Sequence, residues 1–115
     1  PMRLAVAPDP IPEETVFVRS DHYMFVKQGV PAVFLATGFG NGGEAAYHYF
    51  DEHHYHQVGD DLKQPINWRA GARFAEANYR ITRAMADGDT PPRWIKGDFF
   101  GDLFAPDAPK AEVER

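Results

Sequence analysis

Val30-Pro31-Ala32-Val33-Phe34-Leu35-Ala36 is a nearly unbroken apolar run. A strand wetted on one face alternates apolar and polar residues. A continuous run instead reads as a strand covered on both faces, as in a parallel sheet flanked by helices. Pro31 stands near its start, where a missing N–H is tolerated. The residues just before it predict a helix. Ser20 is a good N-cap, and Asp21 suits the positive end of a helix dipole. Tyr23, Met24, Val26 and Lys27 continue two turns, and Gly29 fits the C′ position. Helix followed by buried strand is an α/β signature, so the predicted fold class is α/β.

Downstream, Thr37 to Gly43 form a glycine-rich loop at the carboxyl end of the predicted strand, the edge where open α/β sheets bind ligands. The loop lacks the Lys-Ser/Thr pair of a phosphate-binding loop and reads as a flexible connection. Residues Glu44 to Glu52 predict a short helix bearing Tyr47, His48 and Phe50. After Pro65 a long helix is predicted from about Asn67 to Ala86. Phe74, Ala77, Ile81, Ala84 and Met85 share one stripe of it, and Arg69, Arg73, Glu76, Arg80 and Arg83 the opposite, solvated one. Gly88 ends this helix and Pro91-Pro92 block its continuation. Trp94, Ile95, Phe99, Phe100, Leu103 and Phe104 then predict a segment that packs back on the core. Residues 105–115 predict a frayed tail. Upstream, residues 3–6 predict a short strand, and Pro8, Pro10 and Pro12 an extended connection.

A chain of 115 residues is enough for one small domain. The net charge of −5 argues against nucleic acid and against an anionic membrane surface. No apolar run approaches the ~20 residues of a membrane span. Cysteine is absent, which excludes disulfides and thiolate metal sites without choosing a compartment. The chain opens on Pro1 and not on methionine, which suggests a processed or truncated chain, so a missing leader says nothing of the parent protein.

The chemistry concentrates in His53-His54-Tyr55-His56-Gln57-Val58-Gly59-Asp60-Asp61, which holds three of the five histidines. Imidazole is the commonest metal ligand, a carboxylate is its usual outer partner, and a neighbouring tyrosine can stabilise an oxyanion. Three readings stay open on the residues alone. The stretch is a polar surface loop; or His48, His53, His54 and His56 form a self-contained zinc site; or one histidine is a ligand of a site completed from elsewhere. Neither HExxH nor CxxC is present to favour the second.

A second stretch changes the balance. Val18-Arg19-Ser20-Asp21-His22-Tyr23-Met24-Phe25, Gly29-Val30-Pro31-Ala32, and then Tyr55-His56-Gln57 with Asp60, in this order and spacing, resemble the zinc aminopeptidases of the aminopeptidase Y type. These are co-catalytic dizinc exopeptidases, and the bacterial members are the most similar. The lead-in from Pro8 to Glu13 and the later Trp94, Gly97-Asp98 and Phe104 are similar too. The resemblance spans about residues 5–104 and matches only the C-terminal portion of the family's catalytic domain.

That resemblance implies a three-layer α/β/α sandwich around a mixed sheet. It implies that His56 is a zinc ligand and that Tyr55 stabilises the tetrahedral intermediate. Ser20 and Asp21 would help shape the substrate pocket, with Asp21 and Asp60 as weaker candidates for acceptors around the site. Two zinc ions are implied for the complete enzyme, with at most one ligand from this chain. The other ligands and the general-base glutamate match nothing here. The expected function is a fragment of a zinc metallo-aminopeptidase, inactive alone, acting on peptides in a periplasmic or extracellular setting. Exposed apolar surface on Val30–Ala36 and on the long helix predicts self-association. The alternatives are a non-catalytic binding module on the same fold, as in the transferrin receptor ectodomain, and a glutaminyl cyclase-like enzyme. Position 58 is valine where many bacterial relatives have proline.

Overall fold

The backbone dictates a different architecture from the predicted sandwich. A computed structural model of the chain describes residues 2–112, and among these the regular elements are helical, with no sheet. The four helices are α1 (Tyr23–Val26), α2 (Gly43–His53), α3 (Trp68–Ala86) and α4 (Phe99–Phe104). Short 3₁₀ turns precede α1 at Pro12–Glu14 and Val16–Arg19, and another precedes α2 at Gly40–Gly42. Among the described residues the one bridge pair outside the helices is Ile95 with Ala111, parallel and isolated.

The α/β prediction is therefore corrected. Val30 to Ala36 carry no regular secondary structure, and Val33 is 63% exposed. An unbroken apolar run records a demand for burial. A strand also needs a neighbour whose N–H and C=O groups complete a ladder, and no segment among the described residues provides one. Residues 3–6 fail as a strand for the same reason, with Leu4 and Val6 both exposed.

The chain divides into two compact units. The first contains the residues up to Pro10 and Ala36–Thr82. Its helix α2 begins where Gly42, in the left-handed region, releases the chain from the glycine loop into Glu44-Ala45-Ala46, all compatible with a helix. Phe39 packs its ring on Tyr47 and His48 and so fixes that loop to the first turns of α2. Helix α3 starts at the predicted place. The Asn67 side chain accepts the Ala70 N–H at 3.0 Å, an N-cap that satisfies one of the orphan donors. The Arg73 guanidinium donates to the Met2 carbonyl and ties the amino-terminal segment to this helix.

The second unit contains Ile11–Leu35 and the chain from Arg83 onward. Its α1 is one turn long, where two were predicted, and the Ser20 side chain does not cap it. Gly29 does terminate the turn, at φ +82°, with its N–H on the Val26 carbonyl and the Val30 N–H on that of Phe25. This is the Schellman arrangement that a C′ glycine allows. Val26 is fully buried and Trp94 is 6% exposed, and these two are the apolar core of the unit. Asp98 caps α4 by accepting the Gly101 N–H. Lys110 closes its other end by donating to the carbonyls of Gly101 and Ala105. Of the predicted tail, residues 105–112 include this Lys110 contact and the Ala111 bridge, and residues 113–115 lie outside the described residues.

Candidate functional site

The histidine-rich stretch unwinds from the end of α2. His54 is the C-cap, and the Phe50 carbonyl receives the N–H of both His54 and Tyr55. Two further turns close the loop, Gln57 N–H on the His54 carbonyl and Asp60 N–H on that of Gln57. Between them His56 sits at φ +57°, the left-handed region that a β-carbon disfavours. That residue reverses the chain, and its ring stacks on Tyr55 with centroids 3.8 Å apart and planes 23° apart. Both rings are solvent-exposed, Tyr55 at 44%.

Its neighbours have settled hydrogen-bond roles. His53 stacks on Tyr49, and its Nδ1 lies 3.0 Å from the Tyr49 carbonyl, which can only accept. That contact assigns the proton to Nδ1. The Gln64 amide nitrogen reaches the Gly59 carbonyl and also lies 2.9 Å from His54 Nδ1. Because the Gly59 carbonyl demands a donor, the amide orientation is fixed, and His54 Nδ1 is the acceptor. The His54 proton is then on Nε2, so neither ring nitrogen offers a lone pair to a metal ion. Nothing in the sequence spacing marked Gln64; its role depends on the turn at Gly59 bringing residue 64 back to residue 54.

Asp60 is exposed and borders a pocket of about 250 Å³ walled by Tyr49, Phe50, Pro65 and Ile66, with Asp61 at its edge. Asp61 is engaged locally, its carboxylate accepting the Lys63 N–H at 2.8 Å.

Tyr55, His56 and Asp60 thus come together in one loop of the first unit. Ser20 and Asp21 belong to the second unit, where the Ser20 and Asp21 carbonyls accept the N–H groups of Tyr23 and Met24. The Asp21 carboxylate is exposed and makes no side-chain hydrogen bond among the described residues. His22 beside it has an unexpected environment. Its ring is packed edge-on to Phe17 at 4.6 Å and stacked on Phe34 at 5.4 Å, and its Nε2 is buried without a hydrogen-bond partner.

A turn that presents an exposed tyrosine–histidine pair defines a protein able to offer one imidazole donor and one phenol to a ligand. Residues 1–82 match the model of Peptidase family M28, and the chain belongs to that family. It is accordingly a member of a peptidase, and hence hydrolase, family. Comparison with curated proteins and with solved structures gave no match.

Family M28 is generally zinc-dependent. Among the described residues no group of three or more His, Cys, Asp or Glu could hold a metal ion. With His54 committed as above, these residues do not fit a zinc ion by themselves. No helix among them is long and apolar enough to cross a membrane.

Proposed function

We propose that this chain supplies part of the catalytic centre of a zinc-dependent aminopeptidase of the aminopeptidase Y type, a hydrolase that removes residues from the amino ends of peptides. His56 serves as a zinc ligand. Tyr55 donates its phenolic O–H to the oxyanion that forms when the scissile carbonyl becomes tetrahedral. Ser20 and Asp21 contact the substrate side of the site, and Asp60 accepts hydrogen bonds around the loop. Zinc, where bound, supplies an activated water, and the remaining ligands and the general base come from residues outside 2–112.

The observation that supports this reading most is the Tyr55–His56 pair. Its rings are exposed, share a turn with a left-handed residue at its centre, and lie within the stretch matched by the family. His54 has both ring nitrogens accounted for within the chain, whereas the Nδ1–H bond of His53 to the Tyr49 carbonyl leaves its Nε2 lone pair free.

The test is hydrolysis of aminoacyl and N-acetyl-aminoacyl chromogenic substrates by the whole protein, before and after His56→Ala. Aminopeptidase activity requires a free amine, so cleavage of the first substrate alone, lost in the variant, is expected. Cleavage of both substrates, or full activity in His56→Ala, contradicts the proposal. Absence of hydrolysis in the presence of zinc favours a non-catalytic binding role.

A further inference from the structure

The family match ends at residue 82, yet the chain beyond it packs closely on the segment that carries Ser20 and Asp21. The Trp94 indole N–H donates to the Gly29 carbonyl at 2.8 Å. Gly29 is the residue that terminates the Ser20–Val26 turn. A β-carbon there would stand 3.1 Å from the Phe104 carbonyl oxygen and 3.3 Å from Ala105 Cβ, so α4 seats directly against it. Phe100 stacks on Phe17 at 5.2 Å, and Phe100 and Phe104 both meet Tyr23 edge-on, at 5.8 and 6.3 Å. Phe17 in turn holds the His22 ring.

The downstream segment is closed on itself before it touches α1. Gly101 packs so tightly on Trp94 that an added β-carbon would lie 2.7 Å from Trp94 Cβ. The Ala111 N–H reaches the Trp94 carbonyl at 2.8 Å, and the Lys96 N–H returns to the Ala111 carbonyl at 2.9 Å. Lys110 fastens the end of α4, and Lys96 and Glu112 pair at 3.3 Å. A short loop tied at both ends and capped in the middle is a rigid platform, whereas a one-turn helix such as α1 has almost no stability of its own.

We propose that residues 94–112 form a clasp that positions the Ser20–Asp21 turn for peptide binding, with Trp94 as the positioning residue acting through Gly29. This rests on the reading of Ser20 and Asp21 as substrate-facing residues. Phe17, Tyr23, Phe100 and Phe104 give the clasp its apolar grip. The Trp94 N–H fixes the register, because it is a directional bond to Gly29, where the segment that follows Ser20 and Asp21 terminates.

Trp94→Phe tests the bond, since it keeps a ring in the core and removes the N–H. Amide hydrogen exchange is read on the 115-residue chain at Tyr23–Lys27, with α2 as the internal reference. Exchange at Tyr23–Lys27 is expected to accelerate by about tenfold while α2 is unchanged. In the whole protein, KM for peptide is expected to rise about five- to tenfold with kcat and zinc content near wild type, a split that general destabilisation does not produce. Lys110→Gln, which loosens the end of α4 without touching Trp94, is expected to move both readouts the same way by a smaller factor. Unchanged exchange in Trp94→Phe overturns the clasp. Accelerated exchange with unchanged KM overturns its role in binding. Unfolding of the second unit in both variants also overturns the proposal, because the segment is then a folding requirement. If the wild-type protein hydrolyses no peptide, the aminopeptidase reading fails, and the exchange result still decides whether the clasp exists.

Discussion

At the scale of the residue, Gly29 and His56 share left-handed backbone with Arg3, Thr15, Asn41, Gly42 and Gly97, and these two each carry a prediction. Gly29 holds φ +82° with Phe104 and Ala105 against its α-carbon. Gly29→Ala adds both a strained backbone and a steric contact, and is expected to destabilise the second unit by about 1–2 kcal/mol. Denaturant titration followed by tryptophan fluorescence in a Trp68→Phe background measures this, since the remaining indole, Trp94, reports on the same contact. His56 adopts the same left-handed region without the freedom of glycine. Strain of this kind, of order 1–3 kcal/mol, is kept where the surroundings impose it, and such positions gather at functional sites. His56→Gly is therefore expected to leave the chain as stable as wild type or slightly more so, while removing the proposed ligand. Marked destabilisation would show that the His56 ring, stacked on Tyr55, is itself holding the loop. For Tyr55 the expectation concerns rate. Tyr55→Phe is expected to lower kcat of the whole protein by about a hundredfold with KM little changed, the usual cost of a lost oxyanion donor. A change confined to KM would move Tyr55 from the oxyanion to ground-state binding.

The elements show which parts of the fold were readable in the sequence. Helix α3 was visible because periodicity, Pro65 before it and a downstream glycine bound a span close to the observed Trp68–Ala86, and the structure adds the Asn67 cap. Asn67→Ala is expected to cost about 1 kcal/mol and to fray the first turn, which a fall in helical circular dichroism and in the denaturation midpoint would show. The Arg80–Glu76 pair at 2.6 Å is half-exposed and is worth a few tenths of a kcal/mol at most. Helix α2 and the Gly29 stop were equally local and equally legible. The Val30–Ala36 strand was not, because a local pattern reports hydrophobicity, and pairing depends on a second segment that the pattern does not contain. The Ser20 cap failed on a smaller scale. A residue type suited to capping starts no helix when the following backbone makes only turns, as Asp21 and His22 do here. At the site, His56 and Tyr55 were singled out only through the resemblance to the zinc aminopeptidases. Gln64 and the Trp94–Gly29 bond could not have been, since each links residues brought close by turns between them.

For the molecule as a whole, the family assignment and the metal chemistry pull in different directions, and a single arrangement reconciles them. The chain belongs to a peptidase family, yet its described residues gather no set of metal donors. On the proposed reading, His56 is one donor of several and the rest lie outside these residues. The exposed Val33, Phe34 and Leu35, with the exposed Ile81 and Met85 of α3, are apolar surface that water does not favour. Purified alone, the chain is expected to self-associate. Sedimentation velocity over a hundredfold dilution series should show a concentration-dependent mass, and a monomer at every concentration would contradict this.

Calorimetric titration of zinc into the purified chain, with His56→Ala alongside, tests the central claim most directly. One imidazole from an incomplete site predicts weak binding, micromolar or poorer, that falls further in His56→Ala. Nanomolar binding that survives His56→Ala, the strength of a complete structural site, would contradict the account and make the histidine cluster a metal centre in its own right.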